Sequence, residues 1–193
     1  MNGLSAEQIR IWVQKISESD REAFDNLFRC LYPRLVRFSF KYLQNKASAS
    51  DIVQNAFVAL WQKRVELDPQ KSVKAYLYQA VRNRSLNYLR DHSNKTVGLE
   101  SLNDFNLKSE EKMTLQDESD QLMKLLKKWI RKLPDRQREA FELSRFDGLD
   151  HNEIASVMDV SPNTVNNHIV AALNYLRDRY DCYQKEINEI SYD

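Results

Sequence analysis

The sequence predicts an all-α protein: two small helical domains joined by a flexible linker, the second with a helix-turn-helix. Three observations carry this. First, the 193 residues include only 3 Gly and 4 Pro, where average usage would give roughly 23 together. So few turn formers disfavour collagen-like, low-complexity and turn-rich all-β chains. Second, helix-start signals recur, and no stretch alternates apolar and polar residues as a strand does. Third, charge divides the chain. Residues 1–92 carry 15 Lys+Arg against 9 Asp+Glu, net +6; residues 93–118 carry 3 against 6, net −3; residues 119–193 carry 11 against 13, net −2. The middle segment is polar and has no sustained apolar period, as expected of a flexible linker.

Helix starts are marked by Ser5 with Gln8, Ser19 with Glu22, Ser48 with Asp51 and Asp150 with Glu153. In each pair a side-chain oxygen can accept from the first turn's free N–H groups. An acid three residues later suits the positive end of the helix dipole. A helix of about 25 residues is expected after Ser19, with Phe24, Leu27, Phe28, Leu31, Leu35 and Phe38 on one stripe. Further helices are expected over 49–64, 73–90, 119–132, 135–146, 151–158 and 162–180.

Several function classes fall away. Cys30 and Cys182 form no metal-ligand spacing, and His92, His151 and His168 are far apart. Two free thiols in a reducing cytosol are the expectation. The N-terminus has no basic stretch leading into an apolar core, so no signal peptide is expected. The longest uncharged run, 160–176, is too polar to span a membrane. The protein reads as soluble and cytoplasmic. With Gly only at 3, 98 and 148, a phosphate-cradling loop is nearly excluded, and neither HExxH nor a nucleophile elbow occurs. No catalytic residue, metal, cofactor or small-molecule substrate is implied.

The most specific pattern is residues 151–170, HNEIASVMDVSPNTVNNHIV. Ile154, Ala155 and Met158 would face inward from a first helix, with Ala155 small where the two helices approach. Val160 would fill the turn, and Val165 and Ile169 would face inward from the second helix. Ser161 is a natural N-cap and Pro162 a natural first helical residue. This is the arrangement of a DNA-binding helix-turn-helix. Asp159 stands where Gly is usual, and Asp tolerates left-handed geometry better than most residues. Ser161, Pro162, Asn163, Asn166, Asn167 and Val170 are left facing outward. Asn can bond bidentately to adenine, and Val can touch a thymine methyl. Phosphate contacts could come from the helix N-terminus at Pro162, and from Arg177, Arg136, Arg138 or Lys132. This half is net acidic, so alone it should bind DNA weakly.

In the first half, helix 49–64 places Ile52, Val53, Ala56, Phe57, Leu60 and Trp61 on an apolar surface, with Asp51, Gln54, Asn55 and Lys63 on a polar face. Residues 71–90 carry Lys71, Lys74, Arg82, Arg84 and Arg90 and no acid, interleaved with Tyr76, Tyr78 and Tyr88. Cations beside aromatic faces can meet backbone charge and base stacking together. The same pattern also fits a solvated charged face.

Together the halves resemble a bacterial sigma factor of the extracytoplasmic-function (ECF) group. Asp51, Gln54, Phe57 and Trp61 match that family's D-x-x-Q-x-x-F-x-x-x-W helix. Residues 80–84 and 86–90 resemble its promoter-recognition helix. Residues 133–141 resemble the start of its second domain, and Gly148-Leu149, Glu153-Ile154-Ala155, Val160-Ser161 and Thr164-Val165 resemble its helix-turn-helix. The resemblance covers about residues 20–90 and 120–180.

It implies a first domain over 1–92, an acidic linker over 93–118 and a second domain over 119–193. Helix 51–61 would dock on the clamp coiled coil of core RNA polymerase, with Asp51, Gln54 and Asn55 as contacts and with Phe57 and Trp61 packing the core. Loop 65–70 and the following helix would capture and melt the minus-10 element, using Lys71, Lys74, Tyr78, Arg82, Asn83, Asn87 and Arg90. A base flipped from the non-template strand would enter a protein pocket. The second domain would read minus-35 duplex through Ser161, Pro162, Asn163, Asn166, Asn167 and Val170. The linker would run toward the RNA exit path, its acidity mimicking nucleic acid. The implied partners are core RNA polymerase, promoter DNA and an anti-sigma factor, often membrane-anchored in this family. Asn55 replaces an acid common in relatives, and Asn166, Asn167 and His168 stand where many place Lys or Arg. Residues 133–176 also resemble the output domain of LuxR-type regulators. That alternative needs a receiver or ligand-sensing domain before residue 93, and no apolar strands ending in Asp are visible there.

Overall fold

The computed structural model describes residues 6–93 and 118–190. The chain divides into two compact units, Met1–Asn106 and Leu107–Asp193. Described residues are helical, with no strand among them: α1 (Ala6–Ser17), α2 (Arg21–Leu43), α3 (Lys46–Gln62), a 3-10 turn (Arg64–Glu66), α4 (Val73–Ser93), α5 (Glu118–Lys132), α6 (Asp135–Arg145), α7 (His151–Met158) and α8 (Pro162–Ile190). Among the described residues no helix is long and apolar enough to cross a membrane.

Of the start signals, Asp150 with Glu153 holds as expected, while Ser19 and Ser48 are not the capping residues. The Ser5 signal lies outside the described residues. Helix α2 is capped by Asp20, not Ser19: the Ala23 N–H donates to Asp20 Oδ1 at 3.0 Å. Ser19 takes a left-handed backbone, φ 71, and its N–H donates to Ile16 O at 2.9 Å, closing the end of α1. Helix α3 begins a turn earlier than Ser48 suggests, because Asn45 accepts from the Ser48 N–H at 3.0 Å. Pro33 lies inside α2 without ending it. Its missing N–H removes the usual helical donor to the Arg29 carbonyl, and both residues lie on the exposed side of the helix.

The core of the first unit forms where α2, α3 and α4 meet. Leu27, Leu31 and Leu35 pack with Val53, Ala56, Phe57, Leu60, Leu77 and Val81, all buried. Each large side chain removed from water contributes about 1.5–3 kcal/mol. Aromatic edges tighten one end, Phe28 lying 4.8 Å and Phe24 6.0 Å from Phe57, centroid to centroid. Between α2 and α4 the buried hydroxyls of Ser39 and Ser85 satisfy each other at 2.9 Å.

In the second unit Trp129, Ile130, Leu133, Phe141, Ala172 and Leu176 form an apolar cluster. Next to it, α7 and α8 form the helix-turn-helix. Ile154, Ala155, Met158, Val165 and Ile169 are buried as expected, and Val157 joins them. The Asp150–Glu153 capping box is complete, each backbone N–H bonding the other's carboxylate at 2.8 Å. Asp159 takes φ 55, ψ 55, and its N–H donates to Ala155 O. Helix α8 runs about ten residues past the expected end, and Tyr183 in this extension meets the Trp129 ring at 6.2 Å. Cys30 and Cys182 are both free.

Candidate nucleic-acid interface

The start of α8 presents one continuous polar face. Ser161 caps it, accepting from the Thr164 N–H at 3.1 Å while its hydroxyl meets Thr164 Oγ1 at 2.8 Å. Asn163, Asn166, Asn167 and Val170 follow at helical spacing, and all are exposed with Ser161 and Pro162. The buried Val165 and Ile169 on the opposite side fix this face outward. The helix dipole adds partial positive charge at the same end. Of the cations expected to meet phosphate, Arg138 is engaged within its own unit. It pairs with Asp135 and donates to Arg131 O at 2.8 Å, satisfying the end of α5. Arg136 reaches Met158 O at 3.4 Å. Arg177 and Lys132 are exposed.

Helix α4 divides the seven residues expected to meet the minus-10 element. Asn83, Asn87 and Arg90 are exposed on it, Lys71 is exposed just before it, and Lys74 is half-buried. Tyr78 is fully buried, its ring 5.1 Å from that of Phe38. Arg82 is buried as well. Neither can line the outer face, so both are corrected from DNA contacts to core residues. The signal was present in the spacing: Tyr78 and Arg82 continue the inward stripe of Val81 and Ser85.

Residue spacing alone does not show the pocket before α4. It measures about 280 Å³ and is lined by Lys63, Glu66, Leu67, Asp68, Lys71, Ser72, Val73 and Tyr76. The local chain is ordered by short bonds. The Gln70 N–H donates to Asp68 Oδ1 at 2.9 Å, and the Ala75 N–H to Ser72 Oγ at 3.1 Å, starting α4. The partly exposed Tyr76 ring brings an aromatic face, and Lys63 and Lys71 bring positive charge. Glu66, Leu67 and Asp68 of this lining belong to loop 65–70, and Tyr76 is one of the aromatic residues interleaved with the cations of residues 71–90.

On α3, Asp51, Gln54 and Asn55 are exposed along one face, and Val58 continues it at 52% exposure. Phe57 is buried, and half-buried Trp61 packs on Phe24 with centroids 5.0 Å apart. The helix thus separates core residues from a mixed polar and apolar outer face.

Comparison with known proteins decides what this arrangement belongs to. The family model Sigma-70 region 2 matches residues 27–95, and Sigma-70, region 4 matches residues 123–176. The two models fall in chain order, one in each unit. The chain belongs to the ECF group of sigma-70 factors. Among this sigma factor's relatives, the RNA polymerase sigma-H factor of Pseudomonas aeruginosa is 25% identical over 180 residues, covering 88% of this chain and 92% of the relative. The ECF RNA polymerase sigma factor RpoE of Cereibacter sphaeroides is 28% identical over 160 residues, covering 82% and 86%. Two solved structures share the fold. CnrH, in complex with the cytosolic domain of CnrY, has a TM-score of 0.57 at 20% identity and covers 91% of this chain and 98% of its own. The sigma factor RpoE of Bartonella quintana, in complex with the anti-sigma factor NepR, has a TM-score of 0.58 at 22% identity and covers 80% and 94%. In this sigma factor, region 2 holds the pocket and the outer faces of α3 and α4. Region 4 holds the helix-turn-helix.

Proposed function

We propose that this sigma factor binds core RNA polymerase and directs promoter-specific transcription initiation. Region 2 takes the minus-10 element and region 4 the minus-35 element. The observation that carries the reading is the order of the two family regions on one chain, each presenting an outward polar face. The outer face of α3, with Asp51, Gln54 and Asn55, docks on polymerase. The pocket lined by Lys63, Lys71 and Tyr76 receives an unstacked base, and Asn83, Asn87 and Arg90 follow the adjoining strand. Asn166 and Asn167 read base edges in the major groove. The protein performs no bond chemistry of its own; polymerase supplies the catalysis. It works in the cytoplasm, and an anti-sigma factor regulates it, as partners of that kind accompany the RpoE of Bartonella quintana. A free-standing LuxR-like regulator is disfavoured because region 2 occupies the place of a sensing domain.

The test compares promoter retention by the free chain and by chain plus core polymerase. Specific retention is expected only with polymerase present. Tight, specific duplex binding by the chain alone, with no polymerase association, would refute the reading.

A further inference from the structure

Helix α1 lies before the residues matched by region 2, yet it touches the pocket loop at both ends. Past its C-terminal end, Ser19 Oγ accepts from Arg64 Nε at 2.9 Å. Arg64 is held from two further directions: Nη1 donates to Trp61 O at 3.0 Å, and the guanidinium lies 4.7 Å from the Trp61 ring centroid. Toward the start of α1, Arg10 donates to Gln70 Oε1 and lies 3.8 Å from Glu7. Helix and loop therefore run antiparallel, with one tie at each end. Arg64 sits between pocket residues Lys63 and Glu66, and Gln70 sits between Asp68 and Lys71. The buried Val13 and Ile16 anchor α1 to its own unit.

We propose that α1 is a brace that positions the pocket loop for base capture, with Arg10 and Ser19 as positioning residues acting through Gln70 and Arg64. The proposal rests on the promoter-melting reading of this loop. Exposed polar ties of this kind add little to global stability, so their effect is on where the loop stands. Ser19 provides a clean probe. Glycine accepts its left-handed backbone while removing the hydroxymethyl group that carries the acceptor. Asparagine tolerates that backbone and restores an acceptor oxygen.

The experiment uses holoenzyme made from core polymerase and the full chain. It measures affinity for non-template-strand oligonucleotides spanning the minus-10 element of a promoter from which this holoenzyme starts. Each oligonucleotide in the set carries one abasic site. For the wild type, one position costs roughly tenfold when its base is removed, the worth of one stacked base. Ser19→Gly and Arg10→Ala are expected to collapse that ratio toward unity, with melting temperature and core affinity unchanged, and Ser19→Asn to restore it. Variants that keep the full wild-type ratio overturn the brace alone. A wild-type holoenzyme with no abasic-sensitive position overturns the base-capture reading itself.

Discussion

Asp159 shows how much one backbone conformation decides. Its left-handed φ and ψ close the turn between α7 and α8, and a β-branched side chain pays heavily in that region. Asp159→Val is expected to destabilise the second unit by ~1–2 kcal/mol, read as a lower thermal midpoint, whereas Asp159→Gly folds normally. At the reading face, Asn166→Ala or Asn167→Ala is expected to shift minus-35 preference by ~1–3 kcal/mol per lost bidentate contact. Competition between promoter variants for holoenzyme measures this, and an unchanged promoter profile would reject those roles. The inward residues of this motif were legible because cap, turn and apolar spacing agree over 20 residues. Tyr78 and Arg82 mislead by residue type: a tyrosine and an arginine resemble surface chemistry in a basic stretch, although their spacing follows the inward stripe of Val81 and Ser85, and both are buried, Tyr78 against Phe38 of α2.

Among the elements, α3 separates a buried face from the proposed docking face most clearly. Its buried side carries Phe57 and Leu60, while its outer side carries Asp51, Gln54 and Asn55. Asp51→Ala or Gln54→Ala should therefore weaken core polymerase binding several-fold without moving the melting curve, since surface changes usually lie within about 0.5 kcal/mol. Pull-down with purified core polymerase checks this, and unchanged affinity would reject the docking face. Helix presence was legible from apolar period, but the caps slipped. Ser19 and Ser48 both satisfy a start pattern, yet Asp20 and Asn45 take the role because neighbouring turns set where the chain leaves helical geometry. The far end of α8 is not marked in the sequence because its residues are mostly polar, and the aromatic contact of Tyr183 is with Trp129, more than fifty positions earlier.

Over the whole molecule, a net charge of +1 hides an unequal distribution. Positive charge is concentrated in residues 1–92, which include the pocket and the outer face of α4, while residues 119–193 are net acidic. Phosphate contacts dominate nucleic-acid affinity and are screened by salt. On the proposed reading, a chain so divided is expected to hold duplex DNA weakly when free and to gain specificity when polymerase presents both regions to one promoter. The most direct measurement is reconstituted run-off transcription with purified core polymerase, this chain and a library of promoter fragments. The account predicts discrete start sites that require the chain, share paired minus-10 and minus-35 elements and disappear when the chain is omitted. Identical transcripts with and without the chain would contradict it.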